Sequence, residues 1–177
     1  MNHRLIIFLH LILILSILSG CDSEGELPNE PVINNITFES NLKNLVIQFT
    51  DGDGNYGLGQ GDTLPPYQPF EDEAETIENP FHYNYWMNVY VKRDGGFVLL
   101  ETPSTFDFRV PVLTPQGQNK QLRVTINNDL ELELEALAQS QAIDLSFGDT
   151  IKFAVTLVDQ DLNISNVAET GEIILNN

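Results

Sequence analysis

The sequence contains a single cysteine, Cys21, and this scarcity limits how the fold can be held together. One cysteine cannot form a disulfide within the chain, so stability must come from a packed core or from a bound metal ion. Histidine is almost as scarce, because His3 and His10 lie in the apolar N-terminal segment and only His82 lies beyond it. With one histidine beyond that segment, the sequence argues against a multi-histidine metal site and against a histidine-based catalytic triad.

Positive charge is also scarce. The chain has 8 Lys and Arg residues against 26 Asp and Glu residues, a formal net charge of -18. Nucleic-acid binding requires clustered Lys and Arg to neutralise phosphates, and here these residues are dispersed apart from the pair Lys92 and Arg93. The balance argues against nucleic acid as a partner and favours a soluble, cation-attracting surface.

The motifs that usually carry catalysis are missing as well. His82 has no Ser/Asp partner motif, and no glycine-rich phosphate loop follows a strand and opens a helix. Acidic residues are so numerous that no pair stands out as an acid and base. We therefore predict that the protein is not an enzyme, and an enzyme acting on glycans is the minor alternative.

The N-terminal segment has the layout of a secretory signal. Its apolar run, Leu5–Leu18, follows Arg4 and contains no acidic residue. The run is shorter than the roughly twenty residues that a membrane-spanning helix needs. Its end, Leu18-Ser19-Gly20-Cys21, resembles the lipobox of bacterial lipoprotein signal peptides at every position, which implies cleavage before Cys21 and a lipid on its sulfur. An ordinary secretory signal is the alternative.

Composition divides the rest of the chain into a tether and one domain. We predict a signal peptide over residues 1–20, a lipid-anchored acidic tether over 21–31, and a β-sandwich domain over 32–177. The tether is acidic, contains Pro28 and Pro31, and shows no apolar period. The remaining length can bury the core of a single domain.

Beyond the tether, apolar and polar residues alternate in short runs separated by Gly, Pro, Asn and Asp, as is typical of all-β sandwiches and barrels. We predict an immunoglobulin-like β-sandwich of about seven to nine strands, with a small up-and-down barrel as the alternative. Trp86 is predicted to lie in the core, Asp94-Gly95-Gly96 to close a hairpin, and 134–139 to form a short helix. The predicted strands are Ile36–Phe38, Leu45–Thr50, Tyr83–Lys92, Phe97–Leu100, Phe106–Val112, Leu122–Ile126, Ile151–Leu157 and Glu172–Leu175.

Two acidic segments, Asp51–Asn55 and Asp159–Asn163, repeat the spacing Asp-x-Asp-x-Asn. The first directly follows a predicted strand, and the second lies at the end of another. In an immunoglobulin-like sandwich these would be the B–C and F–G loops, which emerge at the same end. Calcium takes six to eight oxygen ligands, so the two segments together predict a calcium site. An EF-hand is excluded because Tyr56 stands where that loop requires glycine. Turn formation by the Asx side chains is the alternative. The predicted ligands are Asp51, Asp53, Asn55, Asp159, Asp161 and Asn163.

A long insertion separates the predicted strands Leu45–Thr50 and Tyr83–Lys92, and it is rich in aromatic residues. Loops of this length are usually functional or disordered. Tyr67, Phe70 and Phe81 are predicted to form a surface that recognises a sugar, a peptide or a protein partner. The alternative is that these rings fold back onto the sandwich.

The lipobox, Phe49–Asn55, Val112–Gly117 and Asp159–Asn166 together resemble the small lipoproteins common in Bacteroidota, many of which have no assigned function. The resemblance implies an outer-membrane lipoprotein on the periplasmic or surface-exposed face, although the enterobacterial sorting rule would assign an aspartate after the cysteine to the inner membrane. We expect a non-catalytic cell-envelope module that binds a glycan or an envelope protein. A structural subunit of an outer-membrane assembly is the alternative.

Overall fold

The computed structural model describes residues 25–102, 106–114 and 120–176, which contain eight strands, one α-helix and one turn of 3-10 helix. The predicted signal peptide and Cys21 lie outside the described residues. The elements in chain order are β1 (Val32–Glu39), β2 (Asn44–Asp51), the 3-10 turn (Pro80–His82), β3 (Tyr85–Arg93), β4 (Gly96–Leu99), β5 (Leu122–Asp129), α1 (Glu131–Gln139), β6 (Thr150–Leu157), β7 (Ala168–Glu169) and β8 (Ile173–Ile174).

No helix in the described ranges is both long enough and apolar enough to cross a lipid bilayer.

The strands form two antiparallel sheets, as expected of an all-β sandwich. One sheet has the order β1-β2-β5, and the other has the order β4-β3-β6-β7 with β8 also pairing with β6. The β3–β4 hairpin closes at the predicted turn, with Arg93 paired to Gly96. Each pairing in these sheets is antiparallel, so short connections suffice to join most neighbours.

One hydrophobic core contains residues from both sheets. On β2 every second side chain from Leu45 to Phe49 is at most 1% exposed, and Phe153 on β6 is fully buried. Phe38 of β1 packs against Phe153 with ring centroids 5.5 Å apart. Helix α1 adds Leu134 and Leu137 to the same cluster. Burial of each large apolar side chain contributes about 1.5–3 kcal/mol, so this core supplies the main stabilisation.

The segment 106–112, predicted as a strand, forms only an isolated bridge between Phe108 and Tyr85. The reason lies in Asn84, whose side chain takes the place of a neighbouring strand. Its Oδ1 accepts from Val110 N at 2.6 Å and its Nδ2 donates to Val110 O at 3.0 Å. Pro111 then prevents the ladder from continuing, because proline has no N–H to donate.

The prediction that Trp86 belongs to the core is wrong. Its neighbours on β3, Tyr85 and Met87, are 1% and 3% exposed and point inward. Because side chains alternate along a strand, Trp86 lies on the outer face, where it is half-buried and its Nε1 donates to Pro80 O at 2.9 Å. The strand assignment holds, but the choice of face does not.

Candidate metal centre

Asp51 is the last residue of β2, and it is fully buried. It continues the inward-facing series of Leu45, Ile47 and Phe49, so its carboxylate points toward the core side of the sheet. The chain turns sharply after it, and Gly54, at φ +72°, donates its N–H to Asp51 Oδ1 at 2.7 Å. Glycine takes this left-handed conformation without steric cost. The turn thus fixes one oxygen of Asp51, and its hydrogen bonding does not involve Oδ2.

Three carboxylates from two loops converge at this point. Asp51, Asp53 and Asp159 each place one carboxylate oxygen within 4.8 Å of the others. Asp159 comes shortly after β6 and is 1% exposed. Because β2 and β6 end at the same edge of the sandwich, residues more than 100 positions apart in the chain meet here. The predicted meeting of the two acidic loops is confirmed, and the cluster could hold a metal ion.

Hydrogen bonds join the two loops directly. Asn55 Nδ2 donates to Asp53 Oδ2 at 3.2 Å and to Asp161 Oδ2 at 2.9 Å, so one amide links the first loop to the second. The backbone N–H of Gln160 donates to Asn55 O at 3.3 Å. The position of each loop therefore depends on the other.

Several oxygens in the cluster have no hydrogen-bond donor. Asp51 Oδ2, Asp53 Oδ1 and Asn55 Oδ1 are all buried, and none of them has a partner within the part of the chain that the structure describes. Buried polar atoms are nearly always paired, and leaving one unpaired costs about 1–3 kcal/mol. Three unpaired acceptors beside a third carboxylate, Asp159, form a set that a cation would satisfy.

The pKa values of the cluster also indicate that its negative charges lack a positively charged partner. Burial, opposed by the hydrogen bond from Gly54, raises the pKa of Asp51 from 3.8 to about 7, and the neighbouring Asp53 and Asp159 add to the rise. Burial also raises the pKa of Asp159, although hydrogen bonds from Asn163 and Asp161 hold it down. A bound cation would favour the charged forms of both carboxyl groups.

The remaining predicted ligands lie beside the cluster in supporting positions. Asp161 is exposed and accepts from Asn55. Asn163 donates its backbone N–H to Asp159 Oδ1 and its side-chain Nδ2 to Asp159 Oδ2, both at 2.8 Å. The second segment thus also forms the predicted Asx turn, which orients Asp159. The structure brings Asp51, Asp53, Asn55 and Asp159 closest together.

The three aromatic residues predicted as a ligand surface are all half-buried. Phe81 packs on Trp86 with centroids 5.8 Å apart, and Phe70 lies on a short bridge to Glu78. Tyr67 turns toward the acidic loops, where its hydroxyl donates to the backbone oxygen of Gln160. To this extent the rings fold back on the domain.

Sequence reasoning missed Gln160, which lies between two predicted ligands. Its Nε2 donates to Gly57 O at 2.8 Å, and its backbone contacts both Asn55 and Tyr67. The Asp-x-Asp-x-Asn spacing gives no signal for it, because the pattern places no requirement on the intervening residue.

No family model matches the chain, and no curated protein sequence matches it. The donor set of the cluster is the structural feature that bears on function. The candidate ligands are carboxylate and amide oxygens, which suit hard cations such as calcium and magnesium, whereas zinc and copper sites generally use histidine or cysteine.

Proposed function

We propose that this chain is a lipid-anchored, non-catalytic module of the cell envelope whose β-sandwich binds calcium where its two acidic loops meet. The observation that carries the calcium site is the set of three buried oxygens without donors, on Asp51, Asp53 and Asn55, next to the carboxylate of Asp159. The envelope location is supported by the lipobox ending at Cys21.

Calcium fits this donor set better than magnesium does. Calcium accepts six to eight oxygens in flexible geometry, whereas magnesium demands a near-ideal octahedron and retains several waters. Here the side-chain oxygens come from two loops, and backbone carbonyls and water would complete the shell. Three nearby carboxylates, of Asp51, Asp53 and Asp159, also supply enough negative charge to offset a divalent cation.

The strand order supports an immunoglobulin-like interpretation of the sandwich. In that scheme β1, β2 and β5 correspond to strands A, B and E, and β4, β3 and β6 correspond to C′, C and F, with β7 and β8 together as G. The acidic loops are then the B–C and F–G loops. This is the end of the sandwich at which related architectures carry their variable binding loops.

Calorimetric titration of the chelator-treated, detergent-solubilised protein with calcium chloride tests the site. We expect one calcium per chain, and at least a tenfold weaker affinity for Asp53→Asn. Asp94→Asn is the matched control, because it makes the same charge change at an exposed turn residue whose φ of +50° asparagine also adopts. A magnesium titration should give much weaker binding.

Thermal melting gives an independent measurement. Calcium at a hundredfold its dissociation constant adds about 2.7 kcal/mol of stability, or roughly 8 °C in Tm for a domain of this size. The absence of both heat and a Tm shift at millimolar calcium would overturn the proposed site.

The anchor is tested separately by mass spectrometry of the mature N-terminus. The expected N-terminal residue is Cys21 carrying a diacylglyceryl thioether. An unmodified thiol, or a mature chain that starts elsewhere, would contradict the lipoprotein proposal and leave the calcium site standing.

A further inference from the structure

The long insertion between β2 and β3 has its own internal hydrogen bonding, centred on Asn79. This side chain is 3% exposed. Its Nδ2 donates to Pro66 O at 2.7 Å and to Gln68 O at 2.8 Å, and its Oδ1 accepts from Phe81 N at 3.0 Å. The two halves of the insertion are therefore held against each other by one amide.

Arg109 holds the two ends of the insertion together. Its Nη2 donates to Gly59 O at 2.9 Å and to Asp62 O at 3.1 Å, and its Nη1 donates to His82 O at 2.6 Å. The guanidinium is suited to this because it offers five donors in a fixed plane. The insertion is thus held as one unit against the segment that carries Arg109.

Tyr67 connects this unit to the acidic loops. Its hydroxyl donates to the backbone oxygen of Gln160, the residue between Asp159 and Asp161. Gln160 in turn donates its Nε2 to Gly57 O at 2.8 Å and its N–H to Asn55 O at 3.3 Å. A displacement of the second acidic loop would therefore break the hydrogen bond to the insertion.

Loss of calcium from the proposed site would favour such a displacement. Without a cation, the carboxylates of Asp51, Asp53 and Asp159 repel one another across distances of no more than 4.8 Å. The ion removes this repulsion and fixes the second loop, with Gln160 in place to accept from Tyr67. We infer that calcium binding at the acidic loops orders the long insertion through the Gln160–Tyr67 hydrogen bond. This inference rests on the proposed function.

Limited proteolysis can follow the insertion specifically. The chain from 44 to 91 contains no Lys or Arg, but the insertion carries four exposed glutamates, Glu71, Glu73, Glu75 and Glu78. A glutamate-specific endoproteinase therefore cuts within it, and mass spectrometry of the fragments identifies those cuts. With the mature protein in detergent, we expect cleavage there to be at least tenfold slower in saturating calcium chloride than in chelator.

Tyr67→Phe separates the coupling from the binding. The variant keeps the ring and loses only the hydroxyl, so we expect the protection of the insertion to be lost while calcium still binds. Because coupling between two events is reciprocal, the dissociation constant for calcium should rise by about the same factor as the protection that is lost. Tyr90→Phe, on β3 away from the site, is the matched control and should keep full protection.

The outcomes are distinguishable. Calcium binding with equal cleavage rates in calcium and chelator would overturn the coupling and leave the proposed calcium site intact. Full protection in Tyr67→Phe would overturn the route through this hydroxyl. The absence of both calorimetric heat and a Tm shift in millimolar calcium would overturn the proposed site and the coupling with it.

Discussion

Replacing Asp51 by asparagine should change the stability of the domain in opposite directions with and without calcium. Asp51 is fully buried, one of its oxygens has no donor, and two further carboxylates lie close to it. In chelator the negative charge of Asp51 lowers the stability of the folded state. Asparagine removes the charge and keeps an oxygen that can accept from Gly54.

The size of the effect follows from the pKa. A shift of one unit corresponds to about 1.36 kcal/mol, so the rise from 3.8 to about 7 corresponds to at most about 4 kcal/mol at pH 7.5. We expect Asp51→Asn to be about 2–4 kcal/mol more stable than the wild type in chelator, or roughly 6–12 °C in Tm.

The raised pKa of Asp51 also determines the direction in which stability changes with pH. Between the unfolded pKa of 3.8 and the folded pKa of about 7, the native state binds more protons than the unfolded state. The stability contributed by this group is therefore full below pH 4, falls as the pH rises to about 7, and is constant above. Wild type in chelator should show this decline, and Asp51→Asn should keep only the part that Asp159 contributes.

Urea denaturation followed by the fluorescence of the single tryptophan, Trp86, measures these differences. At pH 7.5 in saturating calcium the order should reverse, with the wild type more stable than Asp51→Asn. Asp94→Asn should behave as wild type in every condition. An Asp51→Asn protein that is less stable than the wild type in chelator would refute the reasoning, because the buried charge would then be compensated by the protein itself.

Two further changes test the core and the insertion. Phe153→Ala, at a fully buried position, should lower the free energy of unfolding by about 3–5 kcal/mol; the urea midpoint measures this, and Phe97→Ala on the outer face should cost far less. Asn79→Ala should leave its three backbone partners unpaired and speed hydrogen exchange across 64–83 while β6 exchanges at its usual rate. Equal urea midpoints for the two phenylalanine variants, or unchanged exchange in the insertion, would contradict the respective assignments.

The strands were predictable because their signal is local. Alternation with a period of two marks β2, β3 and β6 directly in the sequence, since each buries one face. On β3 the alternation also marks the inward face, because Tyr85, Met87, Val89 and Val91 form the more apolar set. Trp86 shares the other face with Asn88 and Lys92, and it was placed wrongly because its large ring was given more weight than its position in that alternation.

The candidate site was predictable to the extent that it depends on topology. Two equal spacings at the ends of two strands, together with the rule that B–C and F–G loops share one end, were enough to bring Asp51, Asp53 and Asp159 together. Contacts made by single side chains to distant backbone were not predictable. Asn84, which replaces a strand beside Val110, and Gln160, which joins two loops to the insertion, carry no pattern in the sequence.

The N-terminal segment meets the domain at the acidic end. Gly52 N donates to Pro28 O at 2.8 Å, and a side chain at Gly52 would collide with the backbone of Leu27 and Pro28. β1 then starts beside the end of β2, with Val32 paired to Thr50. In a protein anchored through Cys21, tension between membrane and domain would reach Gly52, next to Asp51 and Asp53, before it reached the β1–β2 ladder. A calcium ion bound there would hold the loop around Gly52 in place against the N-terminal segment. The force needed to detach that segment would then depend on the calcium concentration around the cell.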